Sequence, residues 1–420
     1  MIRVESLWRG ALAAVIAAAI GAGPASAAEP ITIGFGMGLT GGLAAAGKSA
    51  LLAMQIWAEN TNAKGGLLGR PVRLVYYDDQ SNPAQVPGIY TKLLDVDKVD
   101  LVISSYGTNM IAPAMPVVIQ HGRTFLGLYG LDVNSKFHYP KYFSITGAGG
   151  PHPRQSFSQP FFAVAAGLDP KPTRLALVGA DAEFPKNALS GARELAKENK
   201  LSIVYDRSYP PSTADFTPIV RAIQATRPDL VFVASYPPDT VGMVRAAREV
   251  GLKARLFGGG MVGLQSTAIK TQLGELLNGI VDYDYWLPWG GLTDSPAMGS
   301  FMKQYQDSAG AAGVDALGYY LPPFAFSEMQ VLTDAVEGTK SLADDKLAEY
   351  LRGHQFDTIV GPIKFGPDGE WTDARVLEVQ FQGVQGHDLA QFREPKTEVI
   401  LYPAEHKTGT LRAPYEDAQR

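Results

Sequence analysis

The feature that most constrains this chain is an alternation of short apolar runs with helix-forming stretches, carried through twice. Ile31-Thr32-Ile33-Gly34-Phe35 reads as a strand, and residues 44–60 follow with Leu51, Leu52, Met54, Ile56 and Trp57 spaced along a helix. Further strands at 72–77, 99–103 and 124–128 are separated by helices expected over 83–94 and 111–120. A Gly/Pro-rich stretch at 144–153 interrupts the rhythm, which then restarts. Strands at 175–179, 203–205 and 230–233 alternate with helices at 188–198, 217–225 and 240–250. Strands joined through helices form βαβ units, which lie parallel in one sheet with helices on its faces. The fold class expected is α/β, with two doubly wound parallel-sheet lobes.

Beyond Tyr285 the pattern changes to helices at 296–309, 322–337 and 344–351, then a turn-rich strand pair at 361–369 and a strand with alternating faces at 375–381. Helices without strands cannot build a third sheet, so they are expected to pack back on the first lobe. The chain then crosses between lobes several times and leaves a cleft, where ligands of open α/β sheets bind beyond the strands' carboxyl ends. The segments expected are a signal at 1–27, the first lobe at 28–146 and 286–362, and the second lobe at 147–285 and 363–420. The tail from 398 to 420, with Pro403, Gly409 and Pro414, reads as an extended arm.

Residues 1–27 look like an address. Arg3 and Arg9 precede an apolar run at 11–20, and Ala25-Ser26-Ala27 supplies a small-residue cleavage site. The run is short of the ~20 residues that cross a bilayer. Export to the periplasm with cleavage after Ala27 is therefore expected. The 420 residues include no cysteine, which excludes disulfides, thiol catalysis, Cys-ligated zinc, iron–sulfur clusters and a cysteine-borne lipid anchor. With 37 Lys+Arg against 42 Asp+Glu and a net charge of −5, nucleic acid is not an expected partner.

Two glycine motifs suggest nucleotides. Gly36-Met37-Gly38-Leu39-Thr40-Gly41 fits a dinucleotide fingerprint, but Asp78 and Asp79 lie about twice as far on as a ribose-binding acid should. Residues 42–49 match a phosphate-cradling loop, with Asp78 resembling its magnesium-holding acid. An exported protein meets little ATP or NAD, and glycine suits any tight strand-to-helix turn. An exported nucleotide-dependent enzyme stays a remote alternative. None of the six histidines falls in H-E-x-x-H and no serine in G-x-S-x-G, so no catalytic set, metal or cofactor is expected, and the chain is read as not an enzyme.

From residue 31 to about 400 the sequence resembles the periplasmic solute-binding proteins of branched-chain amino-acid ABC importers, the leucine/isoleucine/valine-binding type. The resemblance is carried by Leu39-Thr40-Gly41 with Gly47, by Asn62-Ala63-Lys64-Gly65-Gly66-Leu67-Leu68-Gly69-Arg70-Pro71, by Tyr77-Asp78-Asp79 with Asn82-Pro83, by Asp215-Phe216-Thr217 and Asp229-Leu230-Val231-Phe232, and by Val360-Gly361-Pro362 with Asp368-Gly369. It implies a type I periplasmic binding protein, two lobes joined by three crossovers, acting as a monomer that delivers a small solute to an inner-membrane ABC permease. It places the hydroxyl that grips the ligand carboxylate on Thr108, within Ser105-Tyr106-Gly107-Thr108-Asn109, the alternative being that Thr108 serves only as an N-cap. Further contacts fall on Tyr129 and Leu131, on Phe184, which could instead be core, and on Tyr236. The acid that neutralises an amino-acid ammonium falls on Gly260, beside Met261, where no carboxylate stands. A buried ammonium without a partner is costly. The solute expected is therefore a carboxylate lacking the amine and possessing an aromatic body; the alternative is a true branched-chain amino-acid binder with a substituted amine site.

Overall fold

The computed structural model describes residues 29–292 and 295–419, so the signal segment expected at 1–27 lies outside the described residues. Five strands form the first sheet: β1 (Ile31–Met37), β2 (Val72–Asp78), β3 (Leu101–Tyr106), β4 (Phe125–Leu128) and β5 (Tyr142–Ile145), in the order β2-β1-β3-β4-β5. Every pair is parallel, with Ile31 opposite Val72 and Met37 opposite Asp78. Residues of β3 are buried along its whole length, as a strand covered by helices on both faces must be. The covering helices include α1 (Ala44–Ala63), α2 (Val86–Thr91) and α3 (Thr108–Gln120).

The second sheet has the order β14-β13-β10-β9-β8-β6-β7. Strands β6 (Arg174–Ala180), β7 (Ser202–Tyr209), β8 (Leu230–Ser235), β9 (Leu256–Met261) and β10 (Val281–Asp284) run parallel, interleaved with α4 (Pro153–Ala166), α5 (Glu183–Glu198), α6 (Thr217–Ala225), α7 (Pro237–Val250) and α8 (Thr267–Leu273). Two antiparallel strands, β13 (Leu377–Phe381) and β14 (Glu398–Tyr402), complete it.

The late helices α9 (Pro296–Ala312), α10 (Leu321–Thr339) and α11 (Asp344–Gly353) return to the first lobe, where the Trp57 indole N–H of α1 donates to Thr333 Oγ1 at 3.1 Å. The chain thus passes between lobes after β5, after β10 and before β13, three times in all.

Several expectations shift. The strand pair read at 361–369 is the hairpin β11 (Gln355–Thr358) and β12 (Gly361–Lys364), and these strands pair only with each other. The segment boundary expected at 362/363 therefore falls inside β12, and Gly369 still meets the first lobe, its carbonyl accepting from Ser144 N at 2.7 Å. Strand β13 is buried throughout instead of alternating, because it lies between β10 and β14 with α4 on one face and Leu287 and Trp289 on the other. The tail is no loose arm: β14 joins the sheet, and Tyr415 of the short helix α12 (Tyr415–Ala418) packs on Phe257 with ring centroids 5.0 Å apart.

The nucleotide motifs dissolve into packing. Gly47, Lys48 and Ser49 lie inside α1, where they form no open loop. A Cβ on Gly47 would stand 2.1 Å from the Gly38 carbonyl oxygen, so glycine there lets α1 approach the β1 loop. Asp78 is engaged by that same loop, accepting from Leu39 N at 2.9 Å, Thr40 N at 3.2 Å, Thr40 Oγ1 at 2.7 Å and Gln80 N at 2.8 Å.

Candidate functional site

The carboxyl ends of β3, β4 and β5 face those of β6, β8, β9 and β10 across the gap between the lobes, and the loops leaving them surround a small inner pocket of about 30 Å³. Seven residues expected from the sequence line it together: Tyr106, Thr108, Asn109, Tyr129, Leu131, Phe184 and Tyr236. Gly260 and Met261 do not. Met261 is fully buried in the second lobe's core, and a Cβ on Gly260 would turn toward Phe157 of α4; their neighbour Val262 reaches the pocket instead.

One wall is rich in donors. Gly107 has φ = 92°, a left-handed conformation that glycine adopts freely, and it turns the chain so that α3 begins at Thr108, three residues ahead of the sequence expectation. The first amides of a helix have no intrahelical acceptor, and with the helix dipole they favour a negative group. Thr108 is not a side-chain cap; its Oγ1 accepts from Leu131 N at 3.0 Å. A hydroxyl that accepts in this way keeps its own hydrogen to donate. Asn109 Oδ1 accepts from Phe184 N of the opposite lobe at 3.2 Å.

The other walls are aromatic. The Tyr129 ring lies 4.9 Å from that of Tyr320 and 5.0 Å from that of Tyr285, tilted by 58° and 53°, and Tyr106 lies 6.2 Å from Tyr129. From the second lobe, Phe184 and Tyr236 face each other at 6.1 Å. Tyr129 is held at φ = 61°, a strained setting for a bulky residue, and its hydroxyl donates to the Tyr320 carbonyl at 3.0 Å. Tyr283 and Tyr320 share a hydrogen bond of 2.7 Å. Burial pushes the Tyr106 phenol up to about 12 and holds those of Tyr129, Tyr236, Tyr283 and Tyr320 well above their ordinary value. The phenols are neutral near pH 7 and can act as donors.

Thr146, Tyr283, Tyr285, Tyr320, Leu43 and Val262 line the pocket without having been expected. Tyr283 and Tyr285 had a signal in the sequence, since side chains two apart at a strand's end share a face. Tyr320 had none, because it arrives with the returning helix α10. No aspartate or glutamate lines the inner pocket. Asp282 and Asp284 alternate with Tyr283 along β10 and so face away from it. Among the described residues no group of three or more His, Asp or Glu is placed to hold a metal, and no helix is long and apolar enough to cross a membrane.

Residues 30–383 match the family described as periplasmic binding protein. The chain is 22% identical over 351 residues to the Leu/Ile/Val-binding protein of Escherichia coli K12, covering 82% of this chain and 88% of that relative. The leucine-binding protein LivK of Thermotoga maritima superposes with a TM-score of 0.72 at 19% identity, over 84% of this chain and 96% of its own. A solute-binding protein of an ABC transporter from Rhodopseudomonas palustris BisB5, solved in complex with 3,4-dihydroxybenzoic acid, gives 0.69 at 18% identity, over 85% and 94%.

Proposed function

Because this chain belongs to the periplasmic binding protein family, whose members bind solutes and are not enzymes, we propose that it is the solute receptor of an ABC importer and that its solute is a small carboxylate without an α-amine. The observation that carries the choice of solute is the composition of the inner pocket, which offers the Thr108 hydroxyl, the first amides of α3 and neutral phenols, and no carboxylate. An anion gains charge-assisted hydrogen bonds there. A buried ammonium would find no countercharge at Gly260 or elsewhere on the lining and would bear its desolvation cost uncompensated.

The aromatic walls suit a flat body, which Tyr106, Tyr129, Phe184 and Tyr236 can stack against. Relatives span both chemistries: the Thermotoga protein is named for leucine, and the Rhodopseudomonas protein holds a dihydroxybenzoate. In this reading the chain works as a periplasmic monomer once residues 1–27 are removed, closes its lobes over the solute and passes it to an inner-membrane permease.

Thermal-shift measurements test the reading. Benzoate and its hydroxylated forms are expected to raise the melting temperature by several degrees, since a ligand at a hundred times its Kd adds about 2.7 kcal/mol, while leucine, isoleucine and valine do little. Thr108→Val should weaken benzoate binding by about 10- to 100-fold, the worth of a hydrogen bond to a charged group, and Thr108→Ser should retain it. Strong stabilisation by the three amino acids and none by the acids would reverse the assignment in favour of a branched-chain amino-acid receptor.

A further inference from the structure

A second cavity of about 500 Å³ adjoins the inner pocket, within the range of roughly 300–1,000 Å³ that sites for small organic ligands occupy. Leu43, Tyr106, Val262 and Tyr320 line both spaces, so the two are separated only by these side chains. Their sizes differ sharply. The inner pocket, at about 30 Å³, is far the smaller and takes only the carboxylate end of a solute and the flat group next to it. The outer chamber is bounded by α1 and the start of α10 from one lobe and by α7 and α8 from the other, through residues such as Ala46, Pro322, Val241 and Ile269. Whatever fills it touches both lobes.

The chamber is mainly apolar, and Gln265 is among the few polar side chains on its lining. Gln265 is 9% exposed and its Nε2 donates to the Tyr283 carbonyl at 2.5 Å and toward Asp282 Oδ2 at 3.5 Å. Two acceptors on that side fix which end of the amide is nitrogen. Gln265 Oε1 is then left without a partner just beneath the chamber wall, an acceptor that a solute's donor reaches when the side chain turns outward. Asp315, which also borders the chamber, is different: it already accepts from Thr267 N and Oγ1, both at 2.7 Å, and from Leu317 N and Gly318 N, both at 3.0 Å.

We propose that the site is bipartite and that the solute is a carboxylate longer than a single ring. Its head occupies the inner pocket at Thr108, its apolar body passes between Tyr106 and Tyr320 to fill the outer chamber, and a hydroxyl or N–H at its far end donates to Gln265 Oε1. This rests on the carboxylate assignment made above and adds the length of the solute and the chemistry of its distal end.

Calorimetric titration of the mature chain with benzoate, 3-phenylpropanoate, 5-phenylpentanoate and 5-(4-hydroxyphenyl)pentanoate tests it. Affinity is expected to rise at least tenfold from benzoate to 5-phenylpentanoate and by a further several-fold with the distal hydroxyl. Ala46→Phe, which puts a ring into the chamber beside its mouth, should reduce affinity for 5-phenylpentanoate tenfold or more, so that its advantage over benzoate collapses. Gln265→Leu should erase only the gain from the hydroxyl. Because Gln265 also ties down β10, that variant is read together with the hydroxyl effect in the unaltered protein. Benzoate binding as tightly as the longer acids, or Ala46→Phe leaving the length dependence intact, overturns the bipartite site and leaves the carboxylate reading standing. Binding of none of the four acids overturns the carboxylate reading itself.

Discussion

Glu328 sits fully buried in α10, and neither of its carboxylate oxygens has a hydrogen-bond partner. Burial alone pushes its pKa well above the ordinary 4.5, so the folded chain keeps a proton that the unfolded chain gives up. The stability associated with that proton is fully present below the unfolded pKa and is lost as pH rises toward the folded one, at about 1.4 kcal/mol per pH unit. Glu328→Met keeps the volume and removes the liability. It should leave stability nearly unchanged at pH 4.5 and raise it by about 2 kcal/mol or more at pH 7.5, measured by urea denaturation at the two pH values. An equal effect at both would mean that the carboxyl is solvated in the fold. In the sequence Glu328 looks like any acid on the solvent stripe of a helix, because nothing local reveals that α10 is covered by α1 on one side and the first sheet on the other. Thr108 was singled out by the family resemblance and not by any pattern of its own, and the structure sets it in the first turn of α3 on the pocket wall.

At the level of elements, the parallel strands were readable because each is a short apolar run flanked by helices, and β3 and β8 are buried from end to end as such runs must be. Strand β14 was not, since Pro403, Gly409 and Pro414 read as an irregular arm and nothing local shows that α8 supplies a partner for Glu398. Lys270 of α8 meets Glu398 at 2.6 Å, with side chains 5% and 1% exposed. Burial works against the Lys270 ammonium, but Glu398 and then Asp284 outweigh it and hold its pKa above the ordinary value. The ion pair thus pins β14 beneath α8, with Asp284 of β10 acting on the lysine only through its field. Lys270→Met should cost about 3–5 kcal/mol at pH 8, the typical penalty for stranding a buried charge, and less at pH 5, where Asp284, pushed up to about 7 by burial and then by Glu398, carries a proton and no longer repels Glu398. Adding Glu398→Leu should recover part of the loss, and chemical denaturation of the single and double variants reads both effects. The same long-range logic concealed Tyr320 from the sequence: its place in the cleft depends on α10 returning across more than half the chain, which no local pattern records.

On the scale of the whole molecule, the lobes are tied by contacts that flank the inner pocket and reach its lining only at the Leu131 backbone. Asn187 Nδ2 of α5 donates to the Leu131 carbonyl at 2.8 Å, Lys136 pairs with Glu183 at 2.6 Å, and Arg154 pairs with Asp132. These contacts exist only while the lobes are together, so each biases the closed form without touching a solute. Apparent affinity scales with the fraction of molecules in the competent form, and loosening closure weakens binding by that fraction. The exposed Lys136–Glu183 pair is worth little, ~0–1 kcal/mol, whereas Asn187 is buried and its loss would also leave the Leu131 carbonyl unpaired. Asn187→Ala should therefore weaken benzoate binding about three- to tenfold, and Lys136→Ala by less than about threefold. Small-angle scattering on the same variants separates closure from contact. Saturating solute should bring Asn187→Ala to the same compact radius as the unaltered chain, but at a proportionately higher concentration. A variant that binds as tightly as the parent would show that the Asn187–Leu131 bond forms in both open and closed molecules and contributes nothing to the choice between them.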